Sequence, residues 1–126
     1  MRAIDTNVLV RLLVRDDLKQ VRLAEEFVSK GAWVSHLVLV ETLWVLDAVY
    51  SRSAEQLGHA VEMMLNHANL TVQDADVAAS ALAIFRSRPS LGFSDCMVLE
   101  IARKSGHLPL GTFDEGLAKL ADVSRL

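Results

Sequence analysis

Four carboxylates stand in sequence contexts that are unusual for surface acids. Asp5 ends the short apolar run that opens the chain, and Asp114 follows the apolar segment around Leu110. Glu41 and Asp95 lie inside apolar stretches, residues 37–46 and 92–99. An ionised carboxylate in apolar surroundings is costly unless another group neutralises its charge. These four side chains are therefore the first candidates for chemistry.

Carboxylates that gather in one place repel one another, and their pKa values rise. A divalent cation is the simplest group that would neutralise them. Oxygen ligands without cysteine or histidine select hard ions such as Mg²⁺ or Mn²⁺ over zinc. A hard ion of this kind binds phosphate oxygens and lowers the pKa of a bound water. The pattern therefore indicates hydrolysis of phosphodiester bonds.

Each acid also has a purely structural interpretation. Asp5 and Asp114 could cap helix N-termini, and Asp95 could stabilise the first turn of its helix through the helix dipole. Glu41 has no lysine or arginine within two helical turns, so only a partner distant in sequence could neutralise it. These alternatives stay open at the level of the sequence.

Short apolar strands alternate with helices along the chain. Strands are predicted at 1–4, 32–35, 70–72, 108–112 and around Val123, and helices at the segments between them, the first capped by Thr6. The segment 37–50 is apolar all round, which predicts a buried helix. This alternation predicts an α/β fold with a parallel sheet and helices on both faces. Ligands of such folds bind beyond the carboxyl ends of the strands.

Composition limits the class of protein. A chain of 126 residues with 52% apolar residues fits a single domain, 1–126, with its own core. The one cysteine, Cys96, forms no internal disulfide, which favours a reducing, cytoplasmic location. No run of 18 apolar residues and no signal-peptide pattern is present, so we expect no membrane association.

The net charge of −3 is not that of a general nucleic-acid binder. The objection weakens when the four candidate acids are set aside, because 13 basic and 12 acidic residues then remain. Four arginines are weak candidates for phosphate contacts, although each could equally lie on a solvated helix face: Arg11, Arg15, Arg86 and Arg88. The four histidines are expected to be structural or exposed. Most of the seven aromatic residues are expected in the core, leaving no obvious platform for base stacking.

Four motifs occur in an order that resembles PIN-domain proteins, and more narrowly the VapC-type toxins of toxin–antitoxin pairs. They are Ile4-Asp5-Thr6-Asn7-Val8-Leu9, Val38-Leu39-Val40-Glu41-Thr42-Leu43-Trp44-Val45-Leu46, Phe93-Ser94-Asp95 and Thr112-Phe113-Asp114. The resemblance implies a three-layer α/β/α sandwich with a central, mostly parallel sheet of about four to five strands. It also implies a dimeric endoribonuclease that a small antitoxin protein inhibits.

The resemblance further assigns a role to each motif residue. Asp5 and Asp95 would be the closest ligands of Mg²⁺ or Mn²⁺, with Glu41 and Asp114 completing the site. The neighbouring polar residues would orient these carboxylates: Thr6, Asn7 and Thr112. A water bound to the metal would attack the RNA phosphate in line, leaving a 5′-phosphate and a 3′-hydroxyl.

Three alternatives remain open. A phosphoacceptor receiver domain has a similar length and acidic strand ends, but it needs a paired acid after the first strand, and Asp5 is unpaired. A PIN-like fold without activity would serve only as a binding module. A structure-specific DNA nuclease would use the same metal chemistry, because hydrolysis by an activated water does not need the 2′-hydroxyl.

Overall fold

Short parallel strands alternate with helices in the computed structural model, which describes all of residues 1–126. The strands pair only in parallel, and six α-helices lie between or after them. The predicted α/β fold is therefore confirmed, and it is consistent with a PIN-like sandwich. The chain forms two compact units, Met1–Ala75 and Asp76–Leu126. The prediction of one domain over residues 1–126 stays a prediction.

The first unit contains a three-stranded parallel sheet in the order β1-β2-β3. Its elements in chain order are β1 (Arg2–Ala3), α1 (Thr6–Val14), α2 (Leu18–Val28), β2 (Ala32–Val34), α3 (His36–Ala48), α4 (Ala54–Asn66) and β3 (Leu70–Val72). Because all three strands run the same way, their carboxyl ends share one edge. Beyond β2 and β3, the backbone N–H of His36 donates to Oε1 of Gln73 at 2.9 Å.

The second unit contains a two-stranded parallel sheet, β4 with β5. Its elements are α5 (Ala75–Ser87), a 3₁₀ turn (Pro89–Leu91), α6 (Phe93–Ser105), β4 (Leu110–Thr112), a second 3₁₀ turn (Leu117–Lys119) and β5 (Val123–Arg125). The rings of Phe85 and Phe93 pack edge to face with centroids 6.0 Å apart, which joins α5 to the start of α6. Gly106 ends α6 in the left-handed conformation, as its sequence position predicts.

Local signals explain most helix boundaries. The Ser-x-x-Gln spacing at Ser53 and Gln56 predicts a capping box, and the structure has one at the start of α4, where each side chain accepts from the backbone N–H of the other residue. The prediction that Thr6 caps α1 is wrong. Asp5 is the cap, accepting from the backbone N–H of Val8 at 3.1 Å, and Thr6 is the first helical residue. None of the helices has the length and apolar character that a membrane span requires.

The prediction that α3 is buried all round is also wrong. One face is buried, formed by Leu39, Thr42, Leu43 and Leu46. Other positions are exposed although they carry large apolar side chains, with Leu37 68% and Trp44 67% exposed. The error arises because the sequence of a helix gives the hydrophobicity of its side chains but does not tell which of them are buried against other elements.

Candidate active site

Asp5 lies at the carboxyl end of β1 and at the amino end of α1. The backbone N–H of Ile4 still donates to the carbonyl of Trp33 in β2, so Asp5 is the first residue beyond the sheet. Its Oδ1 accepts from the Val8 N–H, and the residue is exposed. The capping interpretation is therefore confirmed for Asp5. Since the cap uses one oxygen only, Oδ2 is left for another ligand.

Thr6 connects Asp5 to Glu41. The Thr6 hydroxyl donates to Oε2 of Glu41 at 2.8 Å, which ties the first turn of α1 to the middle of α3. Glu41 is exposed, so the argument that burial forces a neutralising partner upon it does not hold. The structure instead places Glu41 beside the residue that follows Asp5. The two carboxylates therefore belong to one corner of the first unit.

Asp95 and Asp114 form a second pair, within the second unit. Asp95 lies in the first turn of α6 and is partly buried. Burial raises the pKa of Asp95, and the negative charge of Asp114 raises that pKa further. The two carboxylates are thus close enough to repel each other. A positive charge placed between them would relieve this repulsion.

Asp114 is held by a tight network after β4. Its Oδ1 accepts from the backbone N–H of Leu117 at 2.8 Å, so the capping interpretation is confirmed here too, on a 3₁₀ turn. The backbone N–H of Asp114 donates to the Thr112 hydroxyl at 3.0 Å. Thr112 therefore orients the Asp114 backbone rather than its carboxylate. As with Asp5, one carboxylate oxygen is engaged and the other is left.

Sequence comparison supplies the family. The profile of the PIN domain matches residues 3–123, which covers all four acids. The chain belongs to the PIN domain family. Comparisons with curated proteins and with solved structures gave no significant match. PIN domains are a family of nucleases that commonly bind Mg²⁺. The family match therefore supports the identification of the four motifs, which the residues alone had suggested.

The donor set of this PIN domain fits a hard cation. Within either unit, no three histidine, cysteine, aspartate or glutamate side chains form a group that could hold a metal ion. Each unit instead offers a pair of carboxylates with oxygen donors only, Asp5 with Glu41 and Asp95 with Asp114. Oxygen donors suit Mg²⁺ and Mn²⁺, and Mg²⁺ commonly keeps several waters and binds through few carboxylates. The residues present are therefore of the right chemistry.

The other predicted site residues differ in their surroundings. Asn7 is exposed, and its side chain is not among the hydrogen-bond partners of Asp5 or Glu41. Arg11 pairs with Asp16 at 2.6 Å and Arg15 pairs with Glu25 at 2.7 Å, so acids on the protein already engage both guanidinium groups. Two further arginines are exposed at and beyond the end of α5, Arg86 and Arg88.

Two histidines of this PIN domain take part in turns rather than in a pair with a carboxylate. His67 Nδ1 accepts from the backbone N–H of Asn69 at 3.0 Å, which stabilises the turn before β3. The backbone of His36 bonds Gln73, and the His36 Nε2 is buried without a partner. The expectation of a structural role is confirmed for His67 by its side-chain bond, and for His36 it stays a prediction.

Two aromatic side chains differ from expectation. Phe85 and Phe93 are buried as expected, whereas Trp44 is 67% and Phe113 80% exposed. Both stand near candidate acids in the sequence, Trp44 about one helical turn after Glu41 and Phe113 immediately before Asp114. Apolar residue type predicts burial for both. Only their positions, on an uncovered part of α3 and in the turn after β4, could have indicated otherwise.

Proposed function

We propose that the protein is a metal-dependent endoribonuclease, with Asp5, Glu41, Asp95 and Asp114 as its catalytic and metal-binding residues. Its cofactor would be Mg²⁺, with Mn²⁺ as a substitute. The bond from Thr6, next to Asp5, to Glu41 and the closeness of Asp114 to Asp95 carry this proposal, because neighbouring carboxylates are the donors that a hard cation needs. Membership of a nuclease family supports it. The same membership favours this function over the receiver-domain alternative.

The bound cation would supply charge neutralisation at the phosphate and a lower pKa for the attacking water. The protein does the rest. The Thr6 hydroxyl holds Oε2 of Glu41, which leaves Oε1 to accept a proton from water. Asp95 and Asp114 repel each other, so a cation held between them would keep both carboxylates ionised as ligands. The water oxygen bonds to phosphorus as the bond to the 3′-oxygen breaks, and that oxygen leaves protonated.

The decisive experiment compares wild type with Asp5→Asn on a single-stranded RNA. Asparagine caps helices as well as aspartate does, so the variant should fold with an unchanged melting temperature. We expect it to lose cleavage, as wild type does in EDTA, and the wild-type products to carry 5′-phosphates. Normal cleavage by Asp5→Asn, or products ending in a 2′,3′-cyclic phosphate, would contradict the proposal. The same oligonucleotide made as DNA tests the DNA-nuclease alternative.

We also propose that the protein is the toxin of a toxin–antitoxin pair. Support comes from the resemblance to VapC-type toxins and from a cavity of about 450 Å³ in the first unit. Leu12, Leu13 and Met63 line this cavity, and Arg15 lies at it too. A small antitoxin protein could place an apolar side chain there. Co-purification of a small partner that suppresses toxicity on expression would support this, and harmless expression of an active enzyme would contradict it.

A homodimer is the remaining partner proposal. The exposed apolar side chains of Leu37 and Trp44 on α3 would lose solvent contact in an interface. Light scattering should give the mass of two chains for wild type. Trp44→Glu should give the mass of one chain, whereas Leu18→Glu, at a similarly exposed leucine on α2, should leave the mass unchanged. A monomeric wild type would refute the dimer.

A further inference from the structure

Phe113 is the most exposed aromatic side chain of the protein, at 80%. It stands between Thr112, the last residue of β4, and Asp114, a candidate metal ligand. A single exposed apolar side chain is common on protein surfaces and needs no explanation by itself. Two features make Phe113 different from such a residue. The backbone under its ring is ordered, and a candidate metal ligand follows it in the sequence.

The backbone on both sides of Phe113 is fixed. The carbonyl of Thr112 accepts from the N–H of Leu126 at 2.8 Å, which pairs β4 with the end of the chain. The Thr112 hydroxyl accepts from the N–H of Asp114, and Asp114 in turn caps the following 3₁₀ turn through Leu117. The carbonyl of Asp114 accepts from Ala118 at 3.1 Å. Phe113 therefore lies on an ordered turn rather than on a loose loop.

The ring of Phe113 faces solvent. Thr112 is partly buried at the end of β4, whereas Phe113 is exposed in the bend that follows. The protein thus presents an aromatic face on a backbone that is already ordered before any ligand binds.

The neighbours of Phe113 indicate which ligand fits. Along the turn they are polar or acidic, Thr112, Asp114 and Glu115, whereas Trp44 shares its helix with the exposed apolar Leu37. A protein interface is centred on contiguous apolar surface. One aromatic ring beside a candidate metal ligand instead suits a nucleotide, whose base would stack on the ring while its phosphate would lie near that ligand.

We propose that Phe113 stacks on a base of the RNA substrate next to the phosphate that is cut. The inference rests on the proposed endoribonuclease function and deepens it, because it makes Phe113 a positioning residue for substrate. Asp114 follows Phe113 directly in the chain. The stacked base would thus lie close to the reacting phosphate along the RNA. Stacking is tolerant of base identity, so this contact would favour unpaired RNA rather than one sequence.

The test measures binding of a fluorescent single-stranded oligoribonucleotide in the presence of Mg²⁺. Every protein keeps the four candidate acids, and the oligonucleotide carries phosphorothioate linkages so that it is cut slowly. We expect Phe113→Ala to weaken binding by about 5- to 150-fold, the range for loss of one stacked base. Phe113→Tyr should restore binding to within about twofold, since tyrosine also stacks. Leu18→Ala, a control at an exposed leucine of α2, should have no effect.

A second measurement locates the base. Oligonucleotides with one abasic position are titrated against the protein that retains Phe113 and against the Phe113→Ala variant. Loss of the stacked base should weaken binding to the phenylalanine form and leave binding to Phe113→Ala nearly unchanged, because both changes remove the same contact. Additive losses at every abasic position would refute stacking at Phe113.

The possible outcomes separate this inference from the nuclease proposal. Equal RNA affinity of the forms with and without Phe113→Ala overturns the inference while leaving cleavage by the wild type intact. A change in oligomeric mass with unchanged RNA affinity overturns it in favour of a contact between copies of the chain. An absence of RNA binding also overturns it. If binding depends on Phe113 but wild type cuts no RNA, the stacking contact stands and the nuclease function fails.

Discussion

The Asp5 side chain can cap a helix and hold a cation at the same time. Its Oδ1 caps α1, and its Oδ2 is left for a cation. The cap and the catalytic role are competing explanations when only the sequence is considered, yet a carboxylate has two oxygens and a cap needs one. Asp114 repeats the arrangement at the second 3₁₀ turn. A structural contact at either acid is therefore no argument against chemistry there.

Thr6 should control catalysis without controlling folding. Thr6→Val keeps the shape of the side chain but removes the hydroxyl that donates to Glu41 at 2.8 Å. A hydrogen bond to a charged group contributes about 1.5–3 kcal/mol, so we expect roughly a tenfold or greater loss in kcat. Thr6→Ser should restore most of the rate. Cleavage kinetics and thermal melts measure both effects, and an unchanged kcat in Thr6→Val would show that Glu41 needs no such support.

Cys96 should make the protein sensitive to alkaline pH. Burial raises the pKa of its thiol to about 11 from 9.0, and the negative charge of Asp95 adds to the rise. The unfolded chain releases this proton above about pH 9, whereas the folded protein keeps it until about pH 11. Stability from this group is therefore fully present below pH 9 and is lost as the pH rises through that window. Urea unfolding should show a smaller alkaline loss in Cys96→Ala than in wild type, and equal losses would contradict this assignment.

At the scale of elements, the cap of α1 allows the structural role of Asp5 to be separated from its proposed chemical role. Asp5→Ala removes the cap and should lower the free energy of unfolding by about 1 kcal/mol, whereas Asp5→Asn should not. Asp17 is a matched control, since it caps α2 through the N–H of Gln20 at the same 3.1 Å and has no predicted catalytic role. Asp17→Ala should lose similar stability in urea and retain cleavage. Equal activity losses in Asp5→Asn and Asp17→Ala would refute a chemical role for Asp5.

The sequence predicts the elements better than their surroundings. Caps, glycines and apolar spacing are local signals, so the capping box at Ser53 and the end of α6 at Gly106 agree with the structure. The exposed part of α3 does not follow from the sequence, because burial depends on which elements pack against a helix and the sequence of that helix does not state this. The sequence analysis selects Glu41 because it expects the side chain to be buried, and the structure shows that Glu41 is exposed. Its bond to Thr6 is a long-range contact that no local pattern encodes.

The exposure of Phe113 also cannot be predicted from the local sequence. Its residue type predicts burial, and only the turn that follows β4 directs the ring outward. Strand ends are a better guide than composition, because Asp5 and Asp114 both lie where parallel strands finish. The carboxylates can therefore be found from the sequence, while the exposure of the aromatic side chain beside them requires the structure.

At the scale of the whole molecule, the PIN profile covers both compact units. It runs from residue 3 to residue 123 and includes the pair of acids in each unit. The proposed function assigns metal binding to acids of both units. Loss of one proposed ligand from either unit should therefore weaken the response of the protein to the cation.

Calorimetry and thermal unfolding in Mg²⁺ test this dependence. A ligand at about 100 times its Kd stabilises a folded protein by about 2.7 kcal/mol, so the melting temperature of wild type should rise with Mg²⁺ and with Mn²⁺. Asp5→Asn and Asp95→Asn should each reduce the rise, because each removes one proposed ligand. If both variants keep the full rise, the assignment of these two acids as metal ligands is wrong. Asp17→Ala should respond as wild type does, because the net loss of one acidic charge alone does not remove a specific ligand.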